Sequence, residues 1–180
     1  MLELGRRVAA ASSGEVFLVS AQRGSDDDPA PRERRAALER ALAETGRGLP
    51  AERCLEIEAW AEPALAAERL APVAAAASGA GTRPAVVCED ECVAAQALAA
   101  LGTLGLAVGR AFDLAYLGPA DLPPALAGCP ALAATFDYRE LGRAGSGLLR
   151  RRIAAGPGRS ERVMVPAAVR ECRPGGGGET

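Results

Sequence analysis

Three acidic residues, Glu89, Asp90 and Glu91, directly follow a short valine-rich run at Pro84 to Cys88. The run is typical of a buried strand, and the spacing of the apolar residues after it predicts a helix from Asp90 to Leu101. Because ligands of open parallel sheets bind outside the carboxyl ends of the strands, these carboxylates could accept hydrogen bonds from a hydroxyl-rich ligand. The alternative is that they cap the helix and complement its dipole, which is the simpler interpretation of this segment alone.

The amino-acid composition excludes several kinds of catalytic and metal site. The sequence contains no histidine and no lysine, so a histidine base, a Ser-His-Asp triad, a histidine-ligated zinc and a Schiff-base lysine are all excluded. The formal net charge of -2 argues against nucleic-acid binding by the chain as a whole. The arginine run Arg150 to Arg152 lies on a predicted helix, where a solvated helix face explains it better than a phosphate contact.

The cysteines and the hydropathy pattern indicate a compartment. The five cysteines are odd in number and lack CxxC spacing, and we interpret them as reduced, mostly buried thiols. The N-terminal residues do not have the pattern of a signal peptide, and the sequence lacks the roughly 20 consecutive apolar residues of a membrane span. We therefore predict a cytoplasmic protein that does not bind a membrane, a metal ion or a cofactor.

The chain alternates between the periodicity of strands and that of helices. Short apolar runs predict strands at Glu15 to Ser20, Cys54 to Ala59, Pro84 to Cys88, Asp113 to Gly118, Leu132 to Phe136 and Glu161 to Val165. Helical spacing predicts helices at about Arg32 to Thr45, Ala61 to Ala77, Asp90 to Leu101 and Tyr138 to Ala154, and Pro72 is expected to kink or shorten the second of these. This alternation predicts an α/β fold in which a parallel sheet carries helices on both faces.

From the first strand to near the C-terminus, the chain resembles the effector-binding half of lactose-repressor-type (LacI/GalR family) transcriptional regulators. Three blocks in the expected order carry the resemblance: PAVVCEDECVAAQALAALGTLGL, DLAYLGPAD and RELGRAGSGLLRRRIAAGPGRSERVMVPAAVREC. The last block is the most specific, because its helix, Gly-Pro loop, strand and proline fall at the spacing of the family. The resemblance implies one lobe of a type I periplasmic-binding-protein-like fold plus the crossover segment of the other lobe.

The resemblance also implies a set of residues that would bind a sugar. Arg32 holds the place of an arginine that contacts sugar hydroxyls, and its guanidinium offers a rigid fork of donors to vicinal oxygens. Trp60, the only tryptophan, follows the second strand, where the family often places an aromatic ring against the sugar. Asp90 and Glu91 replace the family's Asn-Asp pair, and Asp137 lies near a polar position on the crossover that can face the ligand.

Some of these residues have explanations other than ligand binding, and some of the motifs differ from those of the family. Arg32 could be an ordinary surface arginine near a helix start, and Trp60 could fill the core. The pair Asp90-Glu91 is longer and more acidic than Asn-Asp, and Gly118-Pro119-Ala120-Asp121 replaces a Gly-Phe-Asp-Asp turn. The identity of the ligand therefore does not transfer from the family.

The resemblance divides the chain into four parts. Residues 1–14 would end a helix that leads into the first strand, and residues 15–134 would form the sensor lobe. Residues 135–172 would form the crossover helix and the closing strands, and residues 173–180 a disordered tail. In the family the helix at Tyr138 to Ala154 packs on a lobe that lies outside this chain. We therefore expect the helix to find another surface, to dimerise or to stay loosely held.

Together these observations predict the effector-binding domain of a LacI-type regulator, with a sugar as its small-molecule effector and a second copy as its partner in a homodimer. DNA would be contacted only through a headpiece absent from this chain. The first alternative is a ligand-independent dimerisation or regulatory interaction module of the same fold. The second is an enzyme that binds Mg²⁺ through Asp90, Glu91 and Asp121. The missing phosphate-binding loop and catalytic lysine or histidine disfavour that alternative, so the prediction is not an enzyme.

Overall fold

The structure, a computed structural model, describes residues 1–22, 28–58, 61–79, 81–119, 124–156, 161 and 163–172. In these residues the helices are α1 (Leu2–Ala11), α2 (Ala30–Ala43), α3 (Pro63–Arg69), α4 (Ala71–Ser78), α5 (Glu91–Thr103) and α6 (Tyr138–Ala155). The strands are β1 (Val16–Gln22), β2 (Cys54–Glu58), β3 (Ala85–Cys88), β4 (Asp113–Pro119), β5 (Ala131–Phe136) and β6 (Ala168–Cys172). Short 3-10 turns lie at Ala51–Arg53 and Pro124–Leu126. The tail predicted to be disordered, residues 173–180, lies outside the described residues.

The six strands form one sheet in the order β2-β1-β3-β4-β5-β6. The first five strands are parallel, whereas β6 runs antiparallel to β5 at the edge of the sheet. The chain passes from β1 outward to β2 and then returns to β3 on the other side of β1. The connections therefore leave the carboxyl ends of β1 and β3 in opposite directions, and this is the place where open α/β sheets bind ligands.

Side chains that alternate along the strands divide the core into two layers. Phe17 and Val19 of β1 belong to the larger buried cluster, which α3, α4 and α5 complete. Val16 and Leu18 of the same strand belong to the second cluster, which α1 and α2 complete. Helices thus cover both faces of a mostly parallel sheet, and the predicted α/β fold class is confirmed.

The N-terminal helix α1 is an integral part of this packing. Leu4 and Val8 are buried against the sheet and α2. Gly5 permits the close approach of the two helices, because a Cβ at this position would lie 2.7 Å from the Cβ of Ala41. At the surface, Arg6 donates hydrogen bonds of 2.7 and 2.8 Å to the two carboxylate oxygens of Glu44.

The predicted effect of Pro72 on its helix is confirmed. The alanine-rich segment expected to form one helix from Ala61 to Ala77 is divided at Leu70 into α3 and α4. Pro72 lies in the first turn of α4, where a proline removes no intrahelical hydrogen bond. The division leaves Leu70 and Val73 buried in the larger cluster.

The closing strand predicted at Glu161 to Val165 is wrong. The strand that closes the sheet is β6, which starts after Pro166 and pairs with β5 from Thr135 opposite Ala168 to Ala131 opposite Cys172. Val163 and Val165 alternate with other residues as in a strand, but the pairing with β5 begins only beyond the proline. The physical reason is that proline has no N–H to donate to the ladder.

The long helix α6 lies outside both buried clusters. It has 18 residues, and none of them is buried. Four of its large apolar side chains are exposed, namely Tyr138, Leu141, Leu149 and Ile153, the last of them to 74%. The helix predicted at Tyr138 to Ala154 is thus confirmed.

Candidate functional site

The carboxyl ends of β1, β3, β4 and β5 meet along one side of the sheet, which we call the carboxyl edge. Two helices, α5 and α6, begin there, directly after β3 and β5. Their first turns carry Glu91 and Tyr138 to this edge. The sequence thus brings acidic and aromatic side chains together simply because two strand-to-helix connections end on the same side of a parallel sheet.

Glu89 joins β1, β3 and α2 at the point where the chain reverses its direction across the sheet. Its side chain is 1% exposed, and its Oε1 accepts a 2.8 Å hydrogen bond from the backbone N–H of Ala21. Its Oε2 lies 3.8 Å from the guanidinium of Arg34, a half-buried residue on α2. A buried carboxylate needs such partners, and this ion pair links α2 to the carboxyl edge.

Asp90 caps helix α5. Its Oδ1 accepts a 2.8 Å hydrogen bond from the backbone N–H of Val93, with the extended backbone of an N-cap residue. Capping, the simpler of the two interpretations of this carboxylate, is therefore present in the structure. The cap also fixes the orientation of the acidic turn, Glu89 to Glu91, at the carboxyl edge.

Glu91 and Tyr138 are in contact across the carboxyl edge. The phenol of Tyr138 donates to Oε1 of Glu91 over 3.4 Å. Gly118 at the end of β4 leaves room for this pair, because a Cβ there would lie 3.1 Å from the Cβ of Glu91. Burial raises the pKa of Tyr138 and the Glu91 carboxylate raises it further, so the phenol stays protonated and able to donate.

Asp137 caps helix α6. Its Oδ1 accepts hydrogen bonds from the backbone N–H groups of Arg139 at 2.7 Å and Glu140 at 3.3 Å. The rings of Phe136 and Tyr138, on either side of it, meet edge to face with centroids 5.0 Å apart. The end of β5 therefore presents a carboxylate flanked by two aromatic rings.

Arg32 and Trp60 are the two other predicted ligand residues. Arg32 is exposed in the first turn of α2, and the arginine of this helix that contacts a buried carboxylate is Arg34 instead. Trp60 lies outside the described residues. Of the five predicted ligand residues, the structure therefore brings together Asp90, Glu91 and Asp137 around Tyr138. Their role in binding stays a prediction.

Two further features concern metal ions and membranes. Within the described part of the chain, no group of three or more cysteine or acidic side chains is arranged to hold a metal ion. Asp121, which belonged to the alternative Mg²⁺ site, lies outside the described residues. Across those same described ranges, none of the helices is long and apolar enough to span a membrane.

Residues 6–171 match the periplasmic binding protein-like domain family. The chain belongs to this family. A comparison of this domain with curated protein sequences finds no match. The family predicted from the strand, turn and helix blocks of the sequence is thereby confirmed as a periplasmic-binding-protein-like domain, the domain type that LacI-type regulators share.

Solved structures share the fold of this periplasmic-binding-protein-like domain. A probable maltose operon transcriptional repressor from Staphylococcus aureus superposes with a TM-score of 0.72 at 12% identity, over 94% of this chain and 57% of that chain. A sugar-binding LacI-family transcriptional regulator from Escherichia coli, complexed with phosphate, gives 0.64 at 22% identity over 94% and 57%. A probable transcription regulator from Thermus thermophilus gives 0.68 at 23% identity over 96% and 65%. This domain thus spans about three fifths of the length of the structures that it resembles.

The sequence does not single out two residues of the site, Arg34 and Tyr138, and it does not predict the burial of a third, Glu89. Glu89 is one of the candidate carboxylates of the acidic turn, and its position at the end of a fully apolar strand indicates burial. Arg34 lies two residues after Arg32 in a run of charged residues, and only the phase of the helix distinguishes them. Tyr138 directly follows Asp137, and an aromatic residue at the start of a helix after a strand could have signalled a contact at the carboxyl edge.

Proposed function

We propose that this chain is the effector-binding regulatory domain of a LacI-type transcriptional regulator and that its effector is a sugar. The observation that carries the proposal is the contact between Glu91 and Tyr138 at the carboxyl edge. A carboxylate accepts hydrogen bonds from sugar hydroxyls, and the face of an aromatic ring packs against the apolar face of a sugar ring. Asp90 and Asp137 lie next to this pair and would supply further acceptors.

Arg32 and Trp60 complete the proposed ligand set. Arg32, in the first turn of α2, would donate from its guanidinium to vicinal hydroxyls. Trp60 would stack its ring against the apolar face of the sugar. The buried contact between Glu89 and Arg34 would position α2, and hence Arg32, without touching the ligand.

The proposed mechanism is a shift of populations between two arrangements of a homodimer in the cytoplasm. A sugar that binds one arrangement more tightly favours it by the difference in binding free energy. DNA would be contacted only through a headpiece outside these 180 residues. The domain would carry out no reaction. The solved transcription regulators of the same fold support a regulatory rather than a catalytic role.

Calorimetric titration of the protein with a panel of mono- and disaccharides tests the proposal. We expect at least one sugar to bind, and we expect Glu91→Gln to weaken its binding about tenfold or more, because a hydrogen bond to a charged group contributes about 1.5–3 kcal/mol. Glu3→Gln, on the exposed surface of α1, is the matched control and should leave binding unchanged. If no sugar binds, or if Glu91→Gln binds as the parent protein does, the sugar-effector proposal is wrong.

The alternative function is a ligand-independent interaction module of the same fold. It is supported by the two helix caps, since Asp90 and Asp137 already accept backbone hydrogen bonds. It is supported also by α6, whose apolar side chains are exposed. Self-association without any response to the sugar panel would favour this alternative.

A further inference from the structure

A cavity of about 370 Å³ lies at the end of the sheet opposite to the carboxyl edge, where β3, β4 and β5 begin and β6 ends. Ala85, Ala115 and Leu132 form its floor, on the face of the sheet that α1 covers. Val8 and Ala11, near the C-terminal end of α1, form one wall. The volume falls within the range of about 300–1,000 Å³ that is usual for small-molecule sites.

Small side chains on the floor explain why the space is left open. Helix α1 contacts β4 and β5 on this face of the sheet. Ala85 and Ala115, each 2% exposed, lie beneath it at positions where larger side chains would fill the space between helix and sheet. Protein interiors are close-packed and contain few voids larger than a water molecule. An apolar space of this size can therefore take up an apolar molecule in place of side chains.

Polar contacts around the cavity hold its walls in place. The guanidinium of Arg83 forms an ion pair of 3.1 Å with Asp113 and also donates to the carbonyl of Gly109. The backbone N–H of Gly109 donates to the carbonyl of Phe112 at 2.7 Å. Gly109 also lies against Pro130, because a Cβ at this position would be 2.8 Å from Cγ of the proline. The cavity is thus preformed, as small-molecule sites usually are.

The charges at the mouth of the cavity favour an uncharged ligand. Arg83 and Asp113 neutralise each other, and their side chains are 51 and 36% exposed. Glu171 at the mouth is exposed too, so its charge is solvated. The residues that form the floor and the α1 wall are all uncharged. A charged group of a ligand that lay on this floor would lose its hydration without gaining a counter-ion, which is unfavourable.

The cavity is separate from the other surfaces discussed above. Helix α6 and the contact of Glu91 with Tyr138 lie at the carboxyl ends of the strands, and the described residues that line the cavity include none from α6. Met1, at the start of α1, is ten residues from Ala11, or about 15 Å along the helix. Residues 173–180 follow Cys172 at the cavity, but their sequence, RPGGGGET, has no large apolar side chain to fill it.

We propose that this cavity is a binding site for a small, uncharged and mostly apolar organic molecule. The body of the ligand lies on Ala115 and Leu132 and against Ala11, and it enters past the exposed side chains of Arg83 and Glu171. The site is distinct from the proposed sugar site at the carboxyl edge. The inference goes beyond the proposed function and holds whether or not a sugar binds.

Calorimetric titration of the full chain with probes of one shape and different charge tests the inference. The uncharged probes are indole and cyclohexylmethanol. Their charged counterparts are indole-3-acetate and tryptamine for the first, and cyclohexanecarboxylate and cyclohexylmethylamine for the second. At least one uncharged probe should bind with saturation at millimolar concentration or below. Its charged counterparts should bind at least about tenfold more weakly, because their charge is desolvated without a counter-ion.

Two variants locate the bound probe. Ala11→Trp places a large side chain on the wall at an exposed position, and Ala115→Leu fills the buried floor. Each should abolish saturable binding, with the far-UV circular dichroism of the parent retained by Ala11→Trp. The matched control is Ala10→Trp, the same substitution at an exposed neighbouring position that does not line the cavity. This control should bind the probe as the parent does.

Each outcome decides for or against the site. If neither uncharged probe binds, or if binding survives Ala11→Trp, the inference is wrong. A charged counterpart that binds as tightly as its uncharged probe overturns the class of ligand assigned to the cavity. Loss of binding in Glu91→Gln would place the probe at the carboxyl edge and would also overturn the inference. Because the sugar panel is titrated separately, a failure of the sugar proposal leaves this result unchanged.

Discussion

Helices α2 and α6 both contain several leucines and arginines, but α2 is packed into the core and α6 is exposed. In α2, Leu38 and Leu42 are fully buried against α1 and the sheet. In α6, which also alternates leucine and arginine, no residue is buried. The difference shows that an amphipathic pattern determines that a helix forms an apolar side, whereas the neighbouring elements determine whether that side is covered.

Truncation of a leucine in each helix should give the largest contrast. Leu42→Ala removes a fully buried side chain and should lower the free energy of unfolding by about 2–5 kcal/mol. Leu149→Ala, at a position that is 62% exposed, should change it by less than about 0.5 kcal/mol. Urea unfolding of dilute protein measures both. Equal losses would show that α6 is packed as firmly as α2.

Addition of a methyl group should lower the stability where α1 packs on α2 and raise the stability of α6. Gly5→Ala would place a Cβ 2.7 Å from that of Ala41, and we expect a loss of about 1–3 kcal/mol from overpacking. Gly145→Ala meets nothing within 4 Å and should stabilise α6 by roughly 1 kcal/mol through helix propensity. Thermal unfolding measures the first change, and amide hydrogen exchange within α6 the second. Destabilisation by Gly145→Ala would mean that another surface already contacts this part of the helix.

The two aspartate caps allow a smaller comparison. Asp90→Ala and Asp137→Ala should each cost about 1 kcal/mol of helix stability. The loss at Asp90 should lower the stability of the whole lobe, since α5 belongs to the core, whereas the loss at Asp137 should increase hydrogen exchange only within α6. Substitution by asparagine keeps an acceptor at either cap and serves as the control.

The reactivity of two cysteine thiols tests how burial differs between the core and the carboxyl edge. Burial raises the pKa of Cys88 far above its usual range, so its thiol should resist alkylation in the folded protein. Cys92 as a whole is exposed, but the partial burial of its thiol raises its pKa, and the neighbouring Glu91 and Asp90 carboxylates raise it further. Because a raised pKa leaves less thiolate at a given pH, Cys92 should react more slowly at pH 8 than a free cysteine. Mass-spectrometric labelling over pH 7–10 measures both, and Cys92 reacting as fast as free cysteine would contradict the expected shift.

Most helices and strands were predictable because their apolar spacing is local information. The valine-rich run that became β3 is buried at every position, and the alternating residues of β1 face two different layers. The closing strand was misplaced because Val163 and Val165 show the alternation of a strand, while the residues that pair in the sheet, from Thr135 with Ala168 to Ala131 with Cys172, are far apart in the sequence. Alternation therefore identifies a segment that can form a strand, and the register of the sheet selects the segment that does.

The candidate site was predictable only in part, for a similar reason. Asp90, Glu91 and Asp137 follow strands, and the rule for parallel sheets places them at one edge. The contact of Glu91 with Tyr138 joins residues 47 positions apart. Only the tertiary structure brings it about, because α5 packs on β4 and β5 lies next to β4 in the sheet. The choice of Arg34 rather than Arg32 as the partner of Glu89 depends on the rotation of α2 against the sheet.

The sequence by itself determined the α/β class, the succession of elements, the caps and the excluded chemistries, because these depend on residue type and on spacing within about ten positions. The tertiary structure decided which carboxylate was buried, which segment closed the sheet and which helix was left without a partner. These outcomes depend on contacts between distant elements, where burial and desolvation act on the assembled surfaces and not on the local pattern.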